Sequence, residues 1–528
     1  MFKNMRILLV CKETFSYPLY HLAKKWREEN TVASYFFSPA ECMFNQCLLN
    51  MNTYHKHNKL ENVKIYDSRD IVEHFSDNIV NPDIDYKYLE YIENKYTHYK
   101  NINLQLLSTQ KMSTYYHDRI YYSPSTYEQQ MYWLELNYRN TEKLFESFAP
   151  DVIIDLDNSE LARAVLCEVA HYKKIPYFTI EYPRYEYYKV PTTSLGIGKN
   201  LNMEALYNKF LEGSKSKMMD EYDYVHRYRS KSTIMSDEFK NDPTSKYERD
   251  DVLVSLKKLF GKIVYFWNQD ITSKNFRIKK ENKILFAPSP RYVLFYFLVE
   301  VKKWYLFGDN SFFHEPKIEE KYVYMPLHLI PESSTLTMAP FYINELMVIE
   351  QVSKSLPVGW ILYVKEHQSM LGERALKFYR KVNSLHNVKM VSVNYHRDPK
   401  PWIINSMGVI TITGTSAYEA ALLGKKSIVF GDVPFALIEG VTKIKSFEEL
   451  PELIKSFGLV DNIHSCAAYI ASIKELGMKI DLKYIMAEGE AIISGKHTIS
   501  SKYEEQIEQL DLFFKTAYSR YKNDSVQK

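Results

Sequence analysis

Four short apolar runs between Tyr322 and Asp432 place the tightest limit on how this chain folds. Each run is rich in Val, Ile and Tyr and ends in a polar or glycine-bearing turn, and helix-like segments separate the runs. The runs with their turns are YVYMPLHLIPESST, WILYVKEHQ, VKMVSV and GVITITGTSAYEAALLGKKSIVFGD. This alternation predicts a parallel α/β half, in which ligands bind at the carboxyl ends of the strands.

A second series of strands and helices lies in the first half of the chain. The run RILLVC at Arg6–Cys11 precedes a polar turn and a helix, and DVII and YFTI flank the amphipathic segment LARAVLCEVAHYKKIP. A strand, a helix and a strand in this order predict a right-handed β-α-β unit. The segment KILFAPS at 283–289 is predicted as the first strand of the second half. The predicted fold class is therefore α/β, with two Rossmann-like domains facing a central cleft.

The length of the chain also favours more than one domain. A chain of 528 residues exceeds what one ordinary hydrophobic core supports. We expect an N-terminal Rossmann-like domain with helical insertions at 1–275 and a C-terminal Rossmann-like domain at 276–495. The segment 496–528 is predicted as a helix that packs back across the domains.

Charge and cysteine content narrow the class of protein. The formal net charge of +3 is small for this length and indicates no general nucleic-acid binder, so no nucleic-acid partner is expected. The five Cys are scattered and form no CxxC pair, which favours reduced thiols in a cytoplasmic protein. The N-terminal segment has no secretory signal and is predicted to be a buried strand.

The longest apolar stretch is too polar to be a transmembrane segment. No uncharged window approaches the ~20 apolar residues that cross a bilayer. The nearest stretch, YVLFYFLVEVKKWYLF at 292–307, is interrupted by Glu300, Lys302 and Lys303. It is interpreted as a buried helix or a pair of strands, with contact to a membrane surface as the alternative.

Candidate ligand-binding residues follow the strand GVITIT. Thr413, Gly414, Thr415 and Ser416 lie between this strand and the helix SAYEAALL. Glycine lets the backbone approach a ligand closely, and N–H and hydroxyl groups at a helix start suit an anion. Glu419, one turn into the helix, suits ribose hydroxyls. The alternative is an ordinary capped helix, because Ser and Thr are common caps and a nearby Glu completes a capping box.

Two other strand ends carry similar groups. Lys365 and His367 alternate at the end of WILYVK, so both point the same way and both can donate to phosphate oxygens. His328 ends the strand YVYMP, and Ser334 lies in the turn that follows. The alternatives are a solvated strand end for the first pair and a helix cap for the second.

The order of these motifs resembles that of capsule polysaccharide biosynthesis proteins related to bacterial β-Kdo transferases. In that family a KPHP-like segment and a T/S-S-x-x-x-E-A-L-x-x-G-K-P segment line the CMP-sugar site, and here KEHQ and TSAYEAALLGKK match them. Glu366 and Gln368 stand where that family has prolines, and Lys426 replaces a third proline. The resemblance implies a GT-B fold, with the donor bound by the C-terminal domain and the acceptor by the N-terminal domain.

The resemblance also implies roles for individual residues. Lys365 and His367 would contact the nucleotide phosphate, and Thr415 and Ser416 would bind phosphate or the donor carboxylate. Glu419 would hold the ribose. His328 and Ser334 would lie beside the donor.

The catalytic carboxylate is expected from the opposite domain. Asp157 follows the strand DVII and Glu181 follows the strand YFTI, so either could act as the general base of an inverting reaction or the nucleophile of a retaining one. The alternatives are a helix cap for Asp157 and a surface ion pair with Arg184 for Glu181. No metal is expected: Asp155 and Asp157 match a DxD pattern, but GT-B enzymes use side chains and helix dipoles on the leaving phosphate.

These features predict a metal-independent glycosyltransferase of bacterial capsule or lipopolysaccharide synthesis. It would transfer Kdo or a related ulosonic acid from a CMP-linked donor to a glycan or lipid-linked acceptor, with no cofactor besides this nucleotide sugar. A cytoplasmic location, with peripheral association at the inner membrane, fits such an acceptor. The alternatives are a UDP-sugar-dependent GT-B transferase or epimerase, and a non-catalytic scaffold for capsule assembly.

Overall fold

The fold was obtained as a computed structural model. It describes residues 2–37, 51–97, 101–108, 126–157, 160–195, 200–234, 252–268, 291–308, 312–317, 319–391, 393, 395 and 397–526. The predicted strand at 283–289 lies outside the described residues.

Within the described ranges, seven strands form the N-terminal sheet. They are β1 (Arg6–Cys11), β2 (Thr31–Phe36), β3 (Val63–Asp67), β4 (Val152–Ile154), β5 (Tyr177–Glu181), β6 (Tyr188–Thr192) and β13 (Met478–Lys479). Their order is β13-β6-β5-β4-β1-β2-β3, parallel from β3 to β5, with β6 and β13 joined in antiparallel pairs. The apolar runs of β1 and β4 are buried on both faces, as central strands of a parallel sheet require.

The helices of the N-terminal unit cover this sheet. They are α1 (Ser16–Trp26), α2 (Met51–Asn58), α3 (Arg69–Asn78), α4 (Tyr86–Lys95), α5 (Tyr127–Phe148) and α6 (Leu161–Tyr172). The longest, α5, starts with a capping box in which Thr126 and Gln129 satisfy each other's backbone N–H groups. It ends at Ala149, whose φ of 48° turns the chain toward β4. Helix α5 packs against α3 and α6 and buries Tyr132, Trp133 and Tyr138 in the core of this unit.

The part of the C-terminal sheet that the structure describes has six strands, and each neighbouring pair is parallel. They are β7 (Lys321–Pro326), β8 (Trp360–Lys365), β9 (Val388–Val391), β10 (Gly408–Thr411), β11 (Ser427–Val429) and β12 (Val441–Lys443). Their order is β12-β11-β10-β7-β8-β9. The four apolar runs singled out in the sequence are all strands of this sheet.

Two groups of helices complete the chain. Those between and around the C-terminal strands are α7 (Leu201–Leu211), α8 (Met219–Ser230), α9 (Val252–Asn268), α10 (Arg291–Gly308), α11 (Ser333–Leu336), α12 (Glu345–Ser355), α13 (Leu376–Asn383), α14 (Pro399–Asn405), α15 (Ser416–Leu422), α16 (Leu450–Lys455) and α17 (Ile463–Leu476). The last two helices are α18 (Leu482–Ile493) and α19 (Ser501–Val526). Of the helices in the described ranges, none combines the length and the hydropathy that a bilayer crossing needs.

Helices from each half of the chain pack on the other half. Helices α7 and α8 lie against α17, where the hydroxyls of Tyr207 and Ser465 are 2.9 Å apart. Helix α19 returns to α1, β6 and β13, and Trp26 Nε1 donates to Asp511 Oδ1 at 2.6 Å. The predicted domain boundaries at 275 and 495 stay predictions.

The two sheets and their helices confirm the predicted fold class. Two Rossmann-like units lie on either side of a cleft, which is the GT-B arrangement. In the C-terminal unit the carboxyl ends of β7, β8, β9 and β10 open into this cleft, where parallel α/β sheets bind ligands.

Candidate active site

A cleft with a volume of about 840 Å³ lies between the two units. From the C-terminal unit it is lined by Lys365, His367, Thr415, Ser416 and Glu419, all predicted as donor-binding residues, and by Arg397. From the opposite wall come Tyr182, Arg184, Glu186, Tyr187 and Lys189, and Tyr228, which packs on the C-terminal unit near Glu419, also lines the cleft. The cleft therefore collects several cationic groups and several aromatic rings around one volume large enough for a nucleotide sugar.

Lys365 lies at the end of β8 and is only 8% exposed. Its Nζ donates to the carbonyl of Tyr395 at 3.3 Å and lies 5.3 Å from the centre of the Trp402 ring. Burial, together with the nearby charge of Arg397, lowers the pKa of Lys365 to about 7. An anion in the cleft would reverse this shift, because a neighbouring negative charge favours the ammonium form.

His367 follows two residues later and forms the start of a short turn. Its Nδ1 accepts a hydrogen bond from the backbone N–H of Ser369 at 3.2 Å, so the ring proton of the neutral form lies on Nε2. Burial lowers the pKa of His367, which keeps the ring neutral at physiological pH. The side chain is thus a fixed N–H donor at the edge of the cleft.

Helix α15 places Thr415, Ser416 and Glu419 on the cleft wall. Thr415 is the residue before the helix, and its side chain makes no capping hydrogen bond. Glu419 is the fourth helical residue rather than the third, so the capping box of the alternative interpretation does not form. Burial raises the pKa of Glu419 to about 7, Asp398 adds to the rise, and Arg184 from the opposite wall opposes it.

His328 lies behind the cleft and braces the turn before α15. Its Nδ1 is 3.2 Å from Glu345 Oε1, and its Nε2 accepts from the backbone N–H of Thr413 at 3.2 Å. Because Nε2 is an acceptor, Nδ1 carries the proton and donates to Glu345. His328 is 7% exposed and is not among the described residues that line the cleft.

The turn that His328 holds requires glycine at position 414. The N–H of Gly414 donates to Thr411 Oγ1 at 3.1 Å. A Cβ at this position would lie 2.4 Å from that oxygen and 3.3 Å from His328 Nε2, closer than side chains approach one another. Thr413 and Gly414 therefore shape the turn, while Thr415 and Ser416 reach the cleft.

A buried ion-pair network supports the two strand ends from below. Arg374 lies 2.6 Å from Glu345 and 2.8 Å from Glu366, and it also donates to the carbonyl of His328 at 2.8 Å. Tyr379 donates to the same Glu366 carboxylate at 2.8 Å. The network joins the turn after β7 to the turn after β8, and so fixes the spacing between the segments that carry His328 and His367.

The pKa values of the two carboxylates of this network are shifted in opposite directions. Burial raises the pKa of Glu366 more than the Arg374 charge lowers it. At Glu345 burial also raises the pKa, but Arg374 and the hydrogen bonds from His328 outweigh it, and the pKa lies below its usual value. Glu345 is therefore the ionised partner of Arg374 and His328.

Ser334 lies in the short helix α11. Its hydroxyl donates to Glu332 Oε2 at 2.7 Å. Ser334 is not among the described residues that line the cleft. Its predicted position beside the donor stays a prediction.

The N-terminal wall of the cleft is the loop between β5 and β6. Arg184 and Glu186 have φ angles of 68° and 44°, in a region that residues with side chains enter at a cost of about 1–3 kcal/mol. Lys189 is buried, with its Nζ 5.0 Å from the centre of the Tyr182 ring. This strained loop brings cations and tyrosines opposite Glu419.

The two predicted catalytic carboxylates have different partners. Glu181 directly precedes Tyr182, accepts a hydrogen bond from Asn200 Nδ2 at 3.0 Å, and has its pKa raised by burial. Asp157 is bound by the buried Arg163 at 3.0 Å, and the same guanidinium holds Asp155 at 2.8 Å. Neither Glu181 nor Asp157 is among the described residues that line the cleft, and their catalytic roles stay predictions.

The acidic, histidine and cysteine side chains of the described residues are dispersed with respect to metal binding. Over the described ranges, no group of three or more such side chains could hold a metal ion. Asp155 and Asp157 are instead neutralised by Arg163.

Several residues of the cleft were not predicted from the sequence. The positions of Lys189 on β6, of Arg397 and of the tyrosines depend on tertiary packing that no local sequence pattern indicates. The sequence contains one indication of the Arg374 network. Glu366 stands where the resembled family has proline, and a carboxylate buried at this position needs a cationic or hydrogen-bonding partner.

Comparisons with known proteins give structural matches only. No family model and no curated protein matches the sequence. Among solved structures, the chain is similar to Thermosulfurimonas dismutans KpsC, titled a β-Kdo 2,7 transferase, at 11% identity and a TM-score of 0.28 over 63% of this chain and 79% of that chain. A second KpsC structure from the same organism, titled a β-Kdo 2,4 transferase, matches at 13% identity and a TM-score of 0.29, over 61% of this chain and 79% of that one.

Another match is S. aureus MnaA with UDP, at 9% identity and a TM-score of 0.24, over 94% of this chain and 99% of that chain. Both KpsC structures are titled β-Kdo transferases. At these identities and TM-scores the matches carry no information on substrate or reaction.

Proposed function

We propose that the chain is a GT-B glycosyltransferase that binds a nucleotide sugar in the cleft and transfers its sugar to a glycan or lipid-linked acceptor of a bacterial surface polysaccharide. One observation carries this proposal. Predicted donor-binding residues from two separate strand ends, Lys365 and His367 on one and Thr415, Ser416 and Glu419 on the other, line the same cleft.

The chemistry of these groups suits a nucleoside phosphate. A bound phosphate would favour the protonated, cationic form of Lys365. His367 supplies a hydrogen-bond donor, Nε2–H, whose position is fixed. The hydroxyls of Thr415 and Ser416 add neutral donors. A phosphate leaving group gains negative charge as the bond to the sugar breaks, and prearranged donors stabilise that charge.

Glu419 suits the sugar part of the nucleoside. Its carboxyl group lies on the same wall, within reach of the Arg184 charge. A carboxylate that accepts hydrogen bonds from two vicinal hydroxyls is a common way to bind ribose. We assign Glu419 to the nucleoside ribose and the loop between β5 and β6 to the acceptor.

The donor is proposed to be CMP-linked Kdo or a related ulosonic acid. This follows from the match of KEHQ and TSAYEAALLGKK to the segments that line the CMP-sugar site in the resembled family. The binding of CMP and of UDP, measured by isothermal titration calorimetry, tests both the site and the nucleotide.

The site assignment predicts weaker CMP binding in two variants. His367→Ala and Glu419→Ala should each lower the affinity about tenfold or more, since a hydrogen bond to a charged group contributes about 1.5–3 kcal/mol. His386→Ala and Glu448→Ala are matched controls, because both side chains are exposed on the C-terminal unit away from the cleft. Wild-type affinity in both cleft variants would show that the nucleotide binds elsewhere.

The nucleotide preference separates the competing functions. Selective binding of UDP would contradict the CMP-linked donor and favour a UDP-sugar transferase or an epimerase. An epimerase converts the nucleotide sugar without an acceptor, so product formation in the absence of acceptor distinguishes it from a transferase. Binding with no turnover or donor hydrolysis would favour a scaffold.

The catalytic carboxylate is proposed to be Glu181 or Asp157. Glu181 immediately precedes the cleft wall, and burial raises its pKa, as expected for a carboxyl group that exchanges a proton. Asp157 is neutralised by Arg163 in the described structure, so it would require that ion pair to open. In either case the carboxylate would take the proton of the acceptor hydroxyl or attack the sugar carbon.

A further inference from the structure

Helix α10 exposes an apolar stripe at helical spacing. Phe295, Val299 and Leu306 face inward and are 1–3% exposed. Five large apolar side chains on the opposite face are 38–50% exposed: Leu294, Phe297, Leu298, Val301 and Tyr305. These positions recur every three or four residues, so they lie on one face of the helix rather than scattered around it.

Helix α9 packs beside α10 and extends this surface. Ser255 faces inward, where its hydroxyl donates to Glu300 at 3.3 Å. The outward side chains are 37–74% exposed: Leu253, Leu256, Phe260, Ile263 and Val264. Together with the five side chains of α10 they form a surface that we call the docking face. It has ten neighbouring exposed apolar side chains, whereas an ordinary protein surface exposes such residues singly.

The charges around the docking face are mainly positive. Helix α9 carries Lys257, Lys258 and Lys262 and has no acidic residue, and the one acidic residue of α10, Glu300, is paired with Lys303 at 3.1 Å. Lys257 is exposed one helical turn from Leu253 and from Phe260, and Lys258 is exposed on the flank of the same helix. Large apolar residues flanked by lysines are the composition of helices that lie in the interface of an anionic bilayer.

The docking face is rigidly connected to the cleft. A Cβ on Gly372 would lie 2.7 Å from the carbonyl of Val299, so α10 rests directly on this turn. Lys302 of α10 donates to the carbonyls of Glu373 and Arg374 at 3.1 and 3.0 Å. Arg374 in turn holds Glu366, between Lys365 and His367 of the cleft.

We propose that the docking face binds the surface of a bilayer that contains anionic lipid, with its apolar side chains in the boundary between headgroups and acyl chains. This deepens the proposed function and rests on it in one respect: the bilayer would present a lipid-linked acceptor to the cleft. Lipid binding itself needs no turnover. The lysines of the docking face attract the anionic headgroups, and its apolar side chains are transferred from water into the bilayer boundary.

Sedimentation of the full chain with vesicles tests the proposal. Vesicles of phosphatidylglycerol mixed with phosphatidylcholine should bind the protein, and vesicles of phosphatidylcholine alone should bind it much less. Lys257→Gln with Lys258→Gln should lower the partition constant roughly 25-fold, since each lysine near an anionic surface contributes about fivefold. Phe260→Ser with Phe297→Ser and Val301→Ser should lower it about tenfold or more.

Control variants separate lipid binding from folding and from nucleotide binding. Val358→Ser with Leu459→Ser removes two exposed apolar side chains elsewhere and should bind vesicles as the wild type does. Glu419→Ala should also keep vesicle binding, whereas both docking-face variants should keep the CMP affinity. Unchanged thermal midpoints confirm that the variants fold, and the lysine variant changes only exposed positions.

Three outcomes would overturn the proposal. Equal binding to vesicles without anionic lipid would contradict the role of the lysines. Undiminished binding by the serine variant would show that another surface docks. Absence of vesicle binding, with a dimer in sedimentation velocity that the serine variant dissociates, would show that the face is covered by a second copy of this chain.

Discussion

Lys365 should make nucleotide affinity depend on pH in a defined direction. Its pKa is about 7 in the empty cleft, because burial and Arg397 disfavour the ammonium. A bound phosphate favours the ammonium, so binding takes up a proton whenever Lys365 is neutral beforehand. The contribution of Lys365 is therefore fully present below pH 7 and is lost as the pH rises above it.

The size of the effect follows from the pKa. Each pH unit above 7 lowers the protonated fraction of the free protein about tenfold, which costs about 1.4 kcal/mol of binding free energy. Because half of Lys365 is already neutral at pH 7, the affinity for CMP should fall by up to about fiftyfold, or about 2.3 kcal/mol, between pH 7 and pH 9. The phosphate of CMP does not interfere, because a phosphate monoester with a second pKa near 6 remains a dianion over this range.

Glu419 acts in the opposite sense and must be separated from Lys365. Its pKa is also about 7, since burial raises it, and a carboxylate that binds ribose favours the ionised form. This contribution to affinity grows as the pH rises through 7 and is complete above about pH 8. The interval from pH 8 to pH 9 therefore reports on Lys365 alone.

Calorimetric titration of CMP at several pH values, in buffers of different ionisation enthalpy, measures both the affinity and the proton uptake. Lys365→Arg is the matched variant, because arginine remains charged throughout this range. The variant should show no decline from pH 8 to pH 9. A flat wild-type profile, or the same decline in the variant, would refute the assignment of Lys365 to the phosphate.

Two further predictions concern the support of the cleft and its chemistry. Arg374→Met leaves Glu345 and Glu366 buried without their cation, and should lower the free energy of unfolding in urea by about 3–5 kcal/mol. The control Lys381→Met removes an exposed ion pair with Glu350 and should change the free energy of unfolding by less than about 0.5 kcal/mol. Equal effects of the two substitutions would refute the role of the network. Glu181→Gln or Asp157→Asn should lower donor hydrolysis about a hundredfold or more with unchanged CMP affinity. Glu448→Gln serves as the control, because Glu448 is exposed away from the cleft. Wild-type rates in both the Glu181 and the Asp157 variant would exclude these carboxylates.

The sequence predicts the strands and the C-terminal wall of the cleft for the same physical reason. Central strands of a parallel sheet are buried on both faces, so β1, β7, β8 and β10 appear as continuous apolar runs. Polar residues at their carboxyl ends must then meet at one edge. The sequence pattern alone therefore predicts that Lys365, His367 and Glu419 lie close together.

Contacts between distant segments could not be predicted in this way. Arg374 reaches the carbonyl of His328, 46 residues earlier, and no local pattern indicates that pairing. Asp157 has the spacing of a helix cap, yet it binds Arg163 because that arginine is fully buried and needs carboxylates. The apolar stretch of α10 indicates burial, whereas the fold exposes half of it, since periodicity does not show which face is covered.

The position of bound CMP tests the central claim most directly. A crystal structure of the protein with CMP should show the phosphate between Lys365, His367 and Ser416, and the ribose hydroxyls at Glu419. The same structure would show which of Glu181 and Asp157 faces the donor. CMP bound outside the cleft, or an empty cleft at saturating CMP, would contradict the account.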